Sequence, residues 1–410
     1  MEFSGVFPES FDVVRCALPL FDHHRSTVSP NRFKEAVVVV ARYGADAGFG
    51  ELSPLVKPLY EEQFLDAAQS VLLDLLAELS RKFKPGSSFD FEMYRSTIDS
   101  VRGWSSAKFA IDTALADLNG RLSRLGPFGS ILNWFSESDP SVVLRERIVN
   151  LDRKVGVSDF NVAPHGTSIG DFTVVVPDFI DVSRYRRVKI KVDAKVCEDP
   201  SWLSQLSTFV RDVPNSIDVV VDFNESAPST AVLAALSDEP IKFLEAPYGV
   251  KTVEEGLRIF RDRQYKVAFD ESLVDEARLV DFDNAGLFDI AVVKPHRFDS
   301  VSRLVNALER LSAGRSGTNT LGRFYIGGMY DLPVLRRLIA VLTTIFPDGE
   351  ASDLGPDVDY FSAPLLPSVV AGVGTLKVIG GVGLSGAFVP NREYVSTRCR
   401  IEDGQITKVD

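Results

Sequence analysis

VKIKV (188–192), IDVVVDFN (217–224), IKFLEAP (241–247), VAFDES (267–272) and DIAVVKP (289–295) are five short apolar runs that each end in charge. Lys189 and Lys191, Asp222, Glu245, Asp270 and Lys294 supply those charges. The runs are rich in Val and Ile and lack the alternation of a sheet with one wet face, which is how strands covered on both sides read. From Asp222 onward the charges recur at intervals of about two dozen residues, room for one strand, one helix and two short loops. Helix signals fill the gaps. Thr252 and Glu255 have capping-box spacing ahead of Leu257, Ile259 and Phe260. Val301, Leu304, Val305, Leu308 and Leu311 recur on one helical face. Repeated βα units of this length build a closed barrel or an open doubly wound sheet. An open sheet would spread five strand ends along a row too wide for one ligand, whereas a barrel gathers them at one mouth. The pattern predicts an α/β chain built on a (β/α) barrel.

Three carboxylates at one mouth repel one another and raise each other's pKa values unless a cation holds them. All-oxygen ligands suit Mg²⁺, with Mn²⁺ as a substitute, and the absence of clustered His or Cys argues against zinc. The lysines then have a role as acids and bases. A free lysine titrates near 10.4, so a base at neutral pH must be lowered by roughly 3, on the order of 4 kcal/mol. Positive charge nearby, Lys189 beside Lys191 included, acts in that direction, as does burial.

The series KxK, DxN, ExP, DES and KP on successive strands resembles the enolase superfamily, and within it the muconate-lactonizing-enzyme subgroup. The resemblance implies a modified TIM barrel with an α+β N-terminal capping domain. It implies that Asp222, Glu245 and Asp270 ligate Mg²⁺ and that Lys191 and Lys294 face each other across the substrate. Proton abstraction α to a carboxylate, through an enediolate, is the implied chemistry. Gly327-Gly328-Met329 resembles the GGM motif of o-succinylbenzoate synthases and N-acylamino acid racemases, as does SDLGPDVDYF (352–361). A dehydration of the o-succinylbenzoate synthase type is therefore the first expectation. The alternatives are an N-acylamino acid racemase, a muconate-cycloisomerase-like isomerase and, from another class, a non-catalytic binding barrel. Gly327, Gly328, Met329, Asp331 and Asn224 are further candidates for the site, Asn224 either beside the metal or as a helix cap. Two departures stand out. Asp331 replaces the usual Glu, and Phe298-Asp299-Ser300 replaces the double glycine that often follows the KP lysine. No Asp-x-Asp marks the eighth strand, which argues against a dipeptide epimerase.

The chain of 410 residues is long enough for a barrel and a smaller domain, with expected bounds of 1–140 for the cap, 141–375 for the barrel and 376–410 for a segment returning to the cap. DVVRCALPLF and KEAVVVVARY read as strands, and GFGELSPL (48–55) resembles the GxGE turn that closes the cap sheet in this family. His23 and His24 fall in the connection before it and read as solvent-exposed. Two amphipathic helices follow, the second carrying Asp112 and Asp117 on what reads as a solvated face or as caps. The barrel is expected to begin near Glu146, with an irregular first βα unit over GTSIGDFTVVVPDFIDVSRYRR. A net charge of −12 without long like-charged runs argues against nucleic acid. Cys16, Cys197 and Cys399 lie far apart, no apolar run reaches membrane-spanning length, and MEFSGVFPES is unlike a signal peptide. A cytoplasmic enzyme of a small carboxylate is expected; a homo-oligomer is compatible with the sequence but not specified by it.

Overall fold

The computed structural model describes residues 5–20, 33–58, 61–135, 140–162, 165–169, 186–192, 198–261, 263–314, 323–355, 361–362, 369–371, 376–384 and 392–409. His23, His24, Cys197 and most of the expected irregular first βα unit lie outside them, apart from the short strand at 165–169 and Arg186 and Arg187 at the end of that unit. Among the described residues no helix is long and apolar enough to cross a membrane.

β1 (Ser10–Pro19), β2 (Phe33–Tyr43) and β3 (Asp46–Leu52) form an antiparallel meander. Period-two alternation sorts their side chains. Phe11, Val13, Val37, Val39 and Ala41 join the core with the helices, whereas Cys16, Leu18, Ala36, Val38 and Val40 pack with Leu332, Val334 and Phe361 after the barrel strands. GFGEL is not a turn, as expected, but the body of β3. Gly48 and Gly50 lay that strand directly on the helix Ser105–Leu122, where a Cβ at either position would overlap the backbone of Leu118 or Ala110.

That helix is buried from Ser105 to Gly120, so Asp112 and Asp117 do not lie on a solvated face. Asp112 accepts from the Val301 N–H at 2.8 Å and from Tyr94 OH and Trp134 Nε1 at 3.1 Å each. Asp117 accepts from the backbone N–H groups of Phe49 at 2.8 Å and Leu384 at 2.6 Å, and from Arg121 at 2.9 Å. Each is a buried carboxylate surrounded by donors from remote segments.

Glu51, on β3, accepts from the N–H groups of Leu332 at 2.8 Å and Leu335 at 3.1 Å, at the start of the helix Pro333–Ile345. Burial first, and Asp331 second, push its pKa up to about 8. Because the folded value lies above the ordinary one, the stabilisation is fully present below about pH 4.5 and is lost as pH rises through about 8. Glu51→Gln cannot ionise, so its melting temperature relative to the unsubstituted chain is expected to improve from about pH 5 to about pH 9. A difference that stays constant over that range refutes the assignment.

The barrel does not begin near Glu146. Those residues form the helix Val142–Val155, capped by Ser141, and β4 (Phe160–Val162) then pairs antiparallel outside the barrel. Eight parallel strands follow: β5 (His165–Ile169), β6 (Arg187–Lys191), β7 (Asp218–Asp222), β8 (Ile241–Glu245), β9 (Val267–Phe269), β10 (Ile290–Val293), β11 (Phe324–Ile326) and β12 (Ser352–Asp353). Each lies beside its chain neighbour, and β12 pairs back onto β5. The Glu350 N–H donates to Phe324 O at 2.7 Å across the last seam, which closes the ring. The helices Val253–Phe260 and Val301–Ala313 occupy the expected positions, capped by Thr252 and Ser300. β13 (Val369–Ala371) and β14 (Leu376–Val378) pair with β4, while β15 (Val395–Glu402) and β16 (Gln405–Lys408) extend the cap sheet, with β15 beside β1.

Candidate active site

Alternation along each barrel strand explains why the charges converge. On β7, Val219 and Val221 pack outward with the helices Pro200–Asp212 and Thr230–Ser237, so Val220 and then Asp222 point inward. By the same parity Phe243 leads to Glu245, Ala268 to Asp270 and Val292 to Lys294, while β6 turns Arg187, Lys189 and Lys191 inside. Asp222 is the register partner of both Lys191 and Glu245. All six charged residues singled out in the sequence therefore stand at or inside the C-terminal end of the ring.

They do not all occupy one layer. Lys189 is not a neighbour of Lys191 at the mouth but lies a layer deeper, with its Nζ 2.9 Å from Glu245 and from Asp353 and 3.7 Å from Asp222. Tyr325 donates its hydroxyl to the other Glu245 oxygen, and Arg187, paired with Asp353, stacks 3.9 Å from the Tyr325 ring centroid. Asp353 and Tyr325 were not singled out in the sequence. Their strands span two and three residues, too short for periodicity to register.

Electrostatics divide the carboxylates. Burial and then the charge on Asp222 push Glu245 up to about 8. Burial also opposes ionisation of Asp270, but Lys294 and Arg297 outweigh it and hold that carboxyl well below the usual range. Burial and the neighbouring Asp270 and Asp222 push Glu271 up to about 7. For Lys191, burial acts downward, as expected, and so does Lys189, but Tyr330 and Asp222 outweigh both and the net shift is upward. The side chains of the protein alone do not make it a neutral-pH base.

Among the described residues no three His, Cys, Asp or Glu side chains already form a ligating cluster. Lys189 lies against Glu245 and Asp222, and Lys294 lies 2.9 Å from Asp270. The donor set nonetheless fits a hard divalent ion. Its atoms are carboxylate oxygens on three adjacent strands, and the crowding that pushes Glu245 upward is relieved by added positive charge. A buried Glu271 oxygen beside them, Oε2, has no hydrogen-bond partner among the described residues. Asn224 belongs to this group and is not a helix cap. Its N–H donates to Asp222 at 3.0 Å and its side-chain amide to Glu271 at 3.0 Å, while Ser229 caps the next helix.

The GGM turn shapes the seat of Lys294. A Cβ on Gly327 would meet Val292 and the Lys294 side chain, and Met329 Sδ lies 3.4 Å from Lys294 Nζ. A Cβ on Gly328 would crowd Asp331, which turns into the protein and accepts from the Met329 N–H at 3.2 Å. Lys191 Nζ lies 5.9 Å from the ring centroid of Tyr330 in the same turn. Of the residues after Lys294 that depart from the expected double glycine, Phe298 is buried, Asp299 pairs with Lys108 of the cap helix at 3.1 Å, and Ser300 caps the following barrel helix. His296 and Arg297 reach Glu61 of the cap, and Arg297 also contacts Asp270.

A closed ring of eight parallel strands, acidic on its third to fifth members, with lysines on its second and sixth and an antiparallel cap, invites comparison with solved structures. A muconate lactonizing enzyme from Pseudomonas fluorescens, complexed with muconolactone, superposes with a TM-score of 0.70 at 17% identity, over 96% of this chain and 100% of that one. A dipeptide epimerase from Cytophaga hutchinsonii, complexed with Mg and a dipeptide, gives 0.72 at 13% identity, over 97% and 99%. The chain has the enolase-superfamily fold. By sequence it is 24% identical over 396 residues to an N-succinylamino acid racemase from Amycolatopsis sp, covering 95% of this chain and 96% of that one. No family model matches. These relatives are enzymes: a racemase, an epimerase and a muconate lactonizing enzyme.

Proposed function

We propose that the chain is a Mg²⁺-dependent enzyme that moves the proton α to a carboxylate of a small molecule. Asp222, Glu245 and Asp270 would hold the cation, and Lys191 and Lys294 would carry the proton. The observation that supports this reading is the position of the lysines. Strands β6 and β10 are four places apart in a ring of eight, so the two amines rise from opposite walls, with the three carboxylate-bearing strands between them. A divalent cation bound there would neutralise charge that builds on a substrate carboxylate as its α-proton leaves. One lysine removes the proton from one face of the carbon and the other delivers a proton to the opposite face. Met329 and Gly327 pack against the Lys294 side chain.

Two lysines on opposite walls suit inversion at a single carbon, and the similarity to a succinylamino acid racemase points to N-acyl amino acids as substrates. Dehydration of the o-succinylbenzoate synthase type is the second reading, favoured by the GGM turn packed on Lys294. There Lys191 would act as base and then acid, and Lys294 would stabilise the anion. Proton NMR in D₂O distinguishes these readings from a non-catalytic barrel. Mg²⁺-dependent loss of the α-proton signal from an N-succinyl amino acid supports the first, formation of a dehydrated product from the succinylbenzoate precursor the second, and no exchange in either a binding protein.

Glu245→Gln is expected to weaken Mg²⁺ binding by about 10-fold or more in a calorimetric titration. Unchanged affinity removes Glu245 from the ligand set.

A further inference from the structure

We propose that Glu271 is a fourth carboxylate of the cation site: its Oε2 accepts a hydrogen bond from the hydration shell of the bound cation, and Asn224 sets its position. The inference rests on the reading of Asp222, Glu245 and Asp270 as ligands. Glu271 follows Asp270 directly, just past the end of β9, and is only 9% exposed. Its Oε1 accepts from the Asn224 side-chain amide at 3.0 Å, whereas the buried Oε2 has no hydrogen-bond partner among the described residues. The charges that act on it most strongly are those of Asp270, Asp222 and Lys294, all members of the site. Asn224 is tied to the same group. Its backbone N–H donates to Asp222 Oδ1 at 3.0 Å, and its side-chain amide lies 3.4 Å from Asp222 Oδ2. The turn is anchored on both flanks of Glu271: the Asp270 carbonyl accepts from Arg297 at 2.7 Å, and the Ser272 hydroxyl accepts from the Val250 N–H and donates to Glu225, at 2.9 Å each.

A buried acceptor without a donor loses its hydration and gains nothing in return. A carboxylate beside two others adds repulsion to that cost. Glu271 carries both costs next to the proposed ligands, where a divalent cation would remove them together. Mg²⁺ dehydrates reluctantly and keeps several of its waters in protein sites. Those waters are polarised donors, and an ionised carboxylate oxygen, which only accepts, is the partner they require.

The test is a calorimetric Mg²⁺ titration of the unsubstituted chain, Glu271→Gln and Glu271→Asp, together with thermal melting of each without added metal. Glu271→Gln keeps the shape and the acceptor for Asn224 but removes the charge and places an amide NH₂ where Oε2 stands. Its affinity for Mg²⁺ is expected to fall by about 10-fold or more, as for other groups that act on a metal through its immediate neighbours. Without metal, the same variant is expected to melt no lower than the unsubstituted chain, because one of three crowded negative charges is gone. A residue that served only the fold gives the reverse, a lower melting temperature with affinity retained. Glu271→Asp keeps the charge and is expected to lose less affinity than Glu271→Gln. An affinity within about twofold of the unsubstituted chain in Glu271→Gln overturns the proposal, and is the result expected if Glu271 serves only the Lys294 amine. A Glu271→Gln chain that melts lower or does not fold overturns it as well. Absence of Mg²⁺ binding by the unsubstituted chain overturns it together with the functional reading, whereas binding that Glu271→Gln leaves intact overturns the proposal alone.

Discussion

Lys191→Ala and Lys294→Ala are each expected to reduce overall racemisation by at least about two orders of magnitude while leaving the fold intact. The stronger expectation concerns handedness. If the amines approach from opposite walls, each variant retains one proton carrier and so removes the α-proton of one enantiomer only. In D₂O, Lys191→Ala should wash deuterium into one antipode of an N-acyl amino acid and Lys294→Ala into the other. Dehydration chemistry gives a different outcome: Lys191→Ala loses all exchange, because a single base serves both steps. Undiminished turnover in either variant, or exchange of the same antipode in both, defeats the assignment of two opposed carriers. Met329, 3.4 Å from Lys294, should matter less, since it touches the amine without carrying a proton.

Asp112→Ala is expected to produce the largest loss of stability from a residue remote from the barrel mouth. Its carboxylate accepts from a backbone N–H, a tyrosine and a tryptophan, all in a buried setting. Alanine leaves three buried donors without an acceptor, at about 1–3 kcal/mol each if none relaxes. A net loss of about 3–5 kcal/mol in urea unfolding is the expected result, comparable to breaking a buried ionic contact. Burial pushes this carboxyl up to about 6 against the pull of those same donors. Asp112→Asn should therefore be milder, keeping one acceptor oxygen. A loss below about 1 kcal/mol in the alanine variant contradicts this account of the helix as the joint between cap and barrel.

The parts of the site visible in the sequence share one physical property. Asp222, Glu245, Asp270 and Lys294 terminate apolar strands long enough to be recognised, and a period of two then turns each of them inward. Asp353 and Tyr325 obey the same geometry on strands of two and three residues, where no pattern can accumulate. Arg297 and His296 were hidden for another reason. Their partner Glu61 lies more than two hundred positions away, and only the docking of two domains brings them together. Asp112 was misread because a charged residue on an apolar helix is usually solvated, whereas this helix is covered on every side by β3, the barrel and its neighbours. The turn expected at GFGEL came from the family resemblance, and only the approach of Ala110 and Leu118 shows that its glycines serve close packing within a strand. The first barrel strand was missed because five residues, HGTSI, carry almost no apolar signal.

The pairing of Phe11 with Ile401 places β15 against one side of β1, with β2 on the other. During synthesis β1 therefore emerges from the ribosome with one lateral neighbour available at once and the second delayed until the entire barrel has been translated. Its exposed margin must stay out of non-native pairings throughout that interval. The small sheet is thus begun by the earliest strands of the chain and completed only by its last ones.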